Sequence, residues 1–422
     1  MAEATRFEQF LQKLATVTTP NEQAALVAES AFAQLDPAIA LVAQRCIVLR
    51  WFDPLIVTDL LSAADATETS SAADDVTNQL AQLPFVERLP WGLTYHEQTR
   101  IGLLERYATE QPDLLRQAAL LAAPAYQQHT NQALAGQEAL YCWLVAGEAA
   151  KAQQLLDDLI RDAGRRADWD RLLALFATCD QAANLPFVAP LQPTAFHHFA
   201  QGVAFQQVGN QDDAVAAYQQ AIALDDKYAY PWNNLGLVYY NQKRYDEAID
   251  AYQQAIALDD KDATPWNGLG NVYRNQKRYD DAIVAYQQAI ARDEKDASPR
   301  ANLVIPFRLL ERWSEAEASI RHALALEPTD SSLWCGLADV LRRRGDQVRW
   351  QEALAQAQPL VDYNDFYNAA CFESVAGNME QALALLAQAA AEAGFDADWA
   401  QVDPDLAWLR HDPRFAQIVK GA

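Results

Sequence analysis

The sequence predicts a mainly α-helical fold: an α-solenoid of about five to six stacked helical hairpins with a C-terminal cap, behind a small α+β domain and irregular helical hairpins. Three observations carry this reading. First, the stretch Tyr240–Asp262 returns 34 residues later, and residues 229–262 and 263–296 agree at 26 of 34 positions. A period of that length is one helix–turn–helix unit, which buries its apolar face only by stacking on a neighbour. Second, glycine is scarce, at 15 of 422 residues, while Ala, Leu and Gln are abundant, which favours helices over a sandwich. Third, the residues around Pro90–Gly92 alternate on both sides of the turn, as in a short β-hairpin.

Taken in order, residues 1–35 form an N-terminal helical segment and residues 36–109 a small α+β domain. Within that domain, "DPAIALVAQRCIVL" and "DPLIVTDLLSA" read as helices, with Asp36 and Asp53 as N-caps and Pro37 and Pro54 in the first turn. The polar, small-residue stretch Ser62–Asp75 reads as a loop, "DDVTNQLAQL" as a third helix, and Gln98–Thr109 as a fourth after the hairpin. Residues 110–194 are irregular helical hairpins, 195–330 hold four repeat units, and 331–422 hold divergent units and capping helices.

The repeats share one skeleton. The second unit has Trp232, Leu235, Gly236, Tyr239, Tyr245, Ala248, Tyr252 and Ala255; the third repeats it at Trp266, Leu269, Gly270, Tyr273, Tyr279, Ala282, Tyr286 and Ala289. Spacings of three, four and seven put these on one face of each helix, with Gly236 and Ala248 small where paired helices cross. This skeleton resembles the tetratricopeptide repeat (TPR) family, which implies a right-handed superhelix. The first unit fits more loosely, through Gly202, Phe205, Ala214, Tyr218 and Ala221. The fourth places Pro306 inside its first helix, where a bend is expected. The fifth needs roughly three extra residues before "WQEAL" restores register. The ending resembles the capping tail of many bacterial TPR proteins and offers Trp399, Leu406, Leu409 and Phe415 to cover the last helix face.

The resemblance further implies that the second, fifth, ninth, twelfth and thirteenth positions of each unit face a ligand groove. Those positions carry Phe199, Tyr230, Asn233, Leu237, Tyr240, Asn241, Asn267, Asn271, Arg274, Asn275, Arg308, Arg342 and Arg343. With Phe196, they describe an aromatic entrance, an asparagine floor and an arginine-lined far half. Asparagine can bond an extended backbone, and the arginine fork suits carboxylates, so a protein or peptide partner is the expected ligand, an acidic segment being one form it could take. The bland alternative is that these arginines are solvated or paired within the chain.

Three helices and a hairpin are the order of a winged helix. "FVERLPWGLTYHEQTRIGLLERYATEQPD" resembles the winged-helix segment that follows the ATPase module in bacterial STAND-type signalling proteins. No G-x-x-x-x-G-K-[ST] phosphate loop occurs, so the chain reads as a stand-alone relative of the regulatory half, or as a subunit whose effector or ATPase is encoded separately. A net charge of −24 and helices carrying Asp59, Asp65, Asp74 and Asp75 oppose the rival reading, a winged-helix DNA-binding transcription regulator with a TPR sensor. Five cysteines with no C-x-x-C, no secretory leader and no membrane-length apolar run point to a reducing, cytoplasmic setting and no membrane partner. No H-E-x-x-H or G-x-S-x-G motif occurs, and the adjacent His197 and His198 diverge on a helix. The expectation is a non-enzymatic adaptor or regulator without metal or cofactor.

Overall fold

The computed structural model describes residues 12–62, 70–129 and 134–420. They divide into two compact units, one ending at Ala217 and the other beginning at Tyr218.

In the first unit, α1 (Pro20–Phe32), α2 (Pro37–Arg45), α3 (Pro54–Ser62) and α4 (Ser70–Leu80) precede the antiparallel pair β1 (Val86–Leu89) and β2 (Gly92–Tyr95). The caps are as expected: Asp36 accepts from the Ala38 N–H at 2.9 Å and Asp53 from the Ile56 N–H at 3.1 Å. The register pairs Val86 with Tyr95 and Leu89 with Gly92, leaving Pro90 and Trp91 as the turn. Phe52 adds a bridge to Leu93, and this close backbone approach is why residue 92 is glycine, since a Cβ there would lie 2.6 Å from the Phe52 carbonyl oxygen. Phe32, Phe52 and Phe85 surround Tyr95, whose hydroxyl donates to the Ala43 carbonyl at 2.7 Å. The polar stretch differs from its reading as a loop from Ser62 to Asp75. The helix α4 already begins at Ser70, and residues 63–69 lie outside the described residues.

Helices α5 (Glu97–Glu110), α6 (Pro112–Gln128), α7 (Ala135–Ala146), α8 (Ala149–Arg166) and α9 (Trp169–Ala183) continue the first unit. Next comes α10 (Ala195–Gln207), the first helix of the repeats. There His197 is buried and bonded to Asp157 at 2.7 Å, a packing role.

The array continues through α11 (Gln211–Leu224), then α12 (Ala229–Asn241) with α13 (Tyr245–Leu258), and α14 (Thr264–Asn275) with α15 (Tyr279–Arg292). It goes on through α16 (Ser298–Leu309) with α17 (Trp313–Leu326), α18 (Ser331–Arg343) with α19 (Gln347–Ala357), and α20 (Phe366–Ala376) with α21 (Met379–Ala389). The fifth unit corrects the sequence reading. Its second helix starts at Gln347, in step with Tyr245, Tyr279 and Trp313, so no residues are inserted. Trp350 simply stands where the other units have Ala248, Ala282 and Ala316. Helix α16 runs through Pro306 and ends three residues later, at Leu309.

The turn inside each of the first five hairpins takes one left-handed residue at the same position, Gly209, Lys243, Lys277, Glu311 and Gly345, whereas the sixth has Gly377 directly after its first helix. Lys and Glu there cost on the order of 1 kcal/mol that glycine would not, so the hairpin geometry overrides local preference. Packing between paired helices is close. A Cβ on Gly270 would lie 2.5 Å from Cε1 of Tyr286, and one on Gly236 would lie 2.8 Å from the ring of Tyr252. Tyr286 is fully buried and cannot yield. Gly270→Ala should therefore destabilise the chain by about 1–3 kcal/mol, measured by urea unfolding, despite alanine's better helix propensity.

The C-terminal residues form α22 (Ala397–Val402), a 3₁₀ turn (Pro404–Leu409) and α23 (Pro413–Lys420). Leu406, Leu409 and Phe415 are buried against Ala370, Ala382 and Leu386, which is the cap that the sequence predicts.

Candidate functional site

In the second unit the first helices of successive hairpins touch one another and form a continuous face. Its early part is open. Tyr230 is 58% exposed and Leu237 38% exposed, two turns apart on the same face of α12. The Tyr240 hydroxyl accepts from Asn275 Nδ2 at 3.1 Å, joining neighbouring first helices. Asn267 Oδ1 accepts from Asn302 at 3.1 Å, and Asn271 Oδ1 accepts the Tyr286 hydroxyl at 2.8 Å. Asn233 donates to Asn234 at 3.3 Å, while its own Oδ1 is buried with no hydrogen-bond partner. Asn241 and Asn275 are exposed. Phe199 lies on α10, in the first unit, and is not part of this face as described.

The far half of the face is occupied by the chain itself. Arg308 was expected to be offered to a ligand, yet its side chain is 3% exposed and bonded to Asp339 at 2.7 Å and to Asp405 at 2.6 Å. Arg343 also pairs with Asp339, at 2.9 Å, and reaches the Pro404 carbonyl at 3.4 Å. Arg342 lies 3.8 Å from the ring centre of Trp408 and donates to the Val375 carbonyl at 3.0 Å. The Trp408 indole N–H donates to Asp339 at 2.8 Å, and Ser374 Oγ donates to the Asp405 carbonyl at 2.7 Å. Arg274, one repeat earlier, sits 5.5 Å from the Trp399 ring. Arg308, Arg342 and Arg343 are thus engaged within the chain, because the 3₁₀ turn Pro404–Leu409 folds back across them.

Burial alone would lower the Arg308 pKa, but Asp405 and Asp339 outweigh it and hold it well above its ordinary value. Burial pushes Asp405 up to about 6 against the pull of Arg308, with Asp403 adding repulsion. Cys371, Asp403 and Asp405 converge nearby, but Asp403 accepts from the Tyr367 hydroxyl at 2.8 Å and Asp405 is held by Arg308.

Sequence reasoning missed Asp339, Asp405 and Trp408, and it assigned Trp399 to the cap without its contact to Arg274. Asp339 was within reach, since it is the ninth residue of its unit, a groove position, one repeat after Ile305.

The comparisons bear on this repeat face. The profile described as the cilia and flagella-associated protein 70 C-terminal domain, a TPR model, matches residues 106–371, more than half of the chain. The chain belongs to this TPR family. Among solved structures, a TPR protein from Parabacteroides merdae is 16% identical, covering 60% of this chain and 98% of that one at a TM-score of 0.46. YrrB, a TPR protein with an unusual peptide-binding site, is 18% identical, covering 45% and 90% at a TM-score of 0.36. MamA from Desulfovibrio magneticus is 16% identical, covering 39% and 94% at a TM-score of 0.37. No curated protein matches. Within the TPR array, α12 to α19 supply the face just described, and among the described residues no helix is long and apolar enough to cross a membrane.

Proposed function

We propose that this TPR protein is a non-enzymatic adaptor whose groove takes a segment of a partner protein along Tyr230, Asn233, Leu237, Tyr240, Asn267, Asn271 and Arg274. The observation that carries it is that the same face already receives a peptide segment in cis, Pro404–Leu409, through side chains that capture main-chain carbonyls. The open stretch offers matching chemistry: exposed Tyr230 and Leu237 as apolar anchors, with the exposed amides of Asn241 and Asn275 beside them for a partner's main chain. The arginines at 308, 342 and 343 do not belong to this open surface, so an acidic ligand is not required there.

The setting we propose is a bacterial signalling or defence-type system in the reducing cytoplasm, with the effector encoded separately. Support comes from five free thiols and from the helix–hairpin module of residues 36–109, which would serve as a second docking surface. To test the groove, a photo-crosslinking amino acid is placed at Leu237 and, as control, at Asp250 on the second-helix side. A partner should be captured from Leu237 alone, and Tyr230→Ala should then weaken its binding about tenfold, as loss of an aromatic anchor does. Equal capture from both positions, or unchanged affinity, would sink the reading.

A further inference from the structure

The far half of the face is a built site with a ligand in it. On the repeat side, three guanidinium groups, Arg308, Arg342 and Arg343, surround one carboxylate, Asp339, whose side chain is fully buried. Without the tail, three guanidinium groups would share one carboxylate, and Arg308, the buried one, would lose its second partner. The tail supplies what is missing. Asp405 brings a carboxylate to Arg308, and three residues on, Trp408 lies within 3.8 Å of Arg342 and 5.0 Å of Arg343 while its N–H satisfies Asp339. Cation–π stacking and the fixed fork of arginine make this a selective match for a carboxylate followed by an indole, not for any apolar plug.

We propose that the clamp of Arg308, Asp339, Arg342 and Arg343 is a recognition site for acidic-aromatic segments of the form Asp-x-x-Trp. The chain's own Asp405–Trp408 is its resident, exchangeable ligand, and the occupant that displaces it is a partner protein carrying the same pair. Exchange is feasible because Asp405–Trp408 lies in a short 3₁₀ turn outside the repeated hairpins, joined to them through the exposed residues Ala391–Gly394, with Gly394 left-handed at φ +96°. Short elements of this kind open locally, at lower free energy than the packed hairpins beneath them. The clamp and the open stretch share a face but no residue, so either reading can fail while the other stands.

The test uses the full-length chain and a fluorescent synthetic peptide of the sequence Val402–His411. The peptide should bind the Asp405→Asn/Trp408→Ala double variant at least tenfold more tightly than the native chain, whose site is already filled. A peptide with both acidic residues changed to Asn should bind neither. Equal binding to native and double-variant chains, with the variant's helical circular dichroism intact, would overturn the proposal. Should the variant not fold, hydrogen exchange on the native chain decides: the amides of Asp405–Leu409 should exchange at least tenfold faster than those of Ser331–Arg343. Equal protection would make the tail a permanent part of the core and reject exchange. A native dimer that Trp408→Ala dissolves would make the occupant a second copy, also against the proposal.

Discussion

Arg308→Ala should lower the stability of the chain by about 3–5 kcal/mol, because it strands buried carboxylates rather than merely deleting a surface charge. Arg308 bonds Asp339 at 2.7 Å and Asp405 at 2.6 Å, and the Asp339 side chain is fully buried. Arg343 still reaches Asp339, so the loss falls most heavily on Asp405 and on the tail it anchors. Arg308→Lys, which keeps the charge but cannot span both carboxylates with one planar fork, should lie between. Arg312 offers the contrast: its pair with Glu315 is exposed, and Arg312→Ala should leave the urea midpoint where it is. If Arg308→Ala and Arg312→Ala unfold at the same urea concentration, the clamp is not a structural element. Charge reversal at Arg308 is accordingly no clean probe of partner binding, since it should loosen the C-terminal cap as well.

The second large effect is expected at Tyr286. Its ring is fully buried, faces Gly270, and its hydroxyl bonds Asn271 at 2.8 Å. Tyr286→Ala should cost about 3–5 kcal/mol, as a large aromatic leaves a cavity that a glycine-lined helix crossing cannot refill. Tyr286→Phe separates the two contributions: keeping the ring and losing one hydrogen bond should cost only about 1 kcal/mol. Thermal or urea unfolding of the three proteins gives both numbers. Similar losses for the two variants would place the stabilisation in the hydroxyl and refute the packing account.

The sequence made the hairpin register legible because each unit repeats the same buried set. Thus Ala248, Tyr252 and Ala255 predict where Ala282, Tyr286 and Ala289 lie, and the structure buries all six. The caps at Asp36 and Asp53 and the turn at Pro90–Trp91 were readable for a similar reason: each is a local choice made within a few residues. In the fifth unit the pattern misled, since Trp350 at an alanine position imitates an insertion that the backbone does not have. The arginine row shows the sharper limit. Its spacing follows from the repeat period, but the carboxylate that meets Arg308 from the tail lies 97 residues away. No periodicity within the array reveals that a tail folds back, and a row of positive side chains looks the same whether it waits for a partner or already holds one.

The ring of Tyr252 is pressed against two glycines, Gly236 of its own hairpin and Gly268 of the next, where an added Cβ would lie 2.8 and 2.5 Å away. Both copies therefore carry a tyrosine beside a glycine of their own hairpin, but only the third unit has the notch, Gly268, that receives the tyrosine behind it; the second has Asn234 there, which donates to the Tyr218 hydroxyl at 3.3 Å. The third unit has the forward tyrosine, Tyr286, but the fourth has Asn302 where the notch should be. Another copy of residues 263–296 placed after Asp296 would give Tyr286 its missing notch and present Asn302 with an identical tyrosine. The joint is modular on one side and bespoke on the other, so the array can lengthen at this point by whole hairpins without redesigning either neighbour.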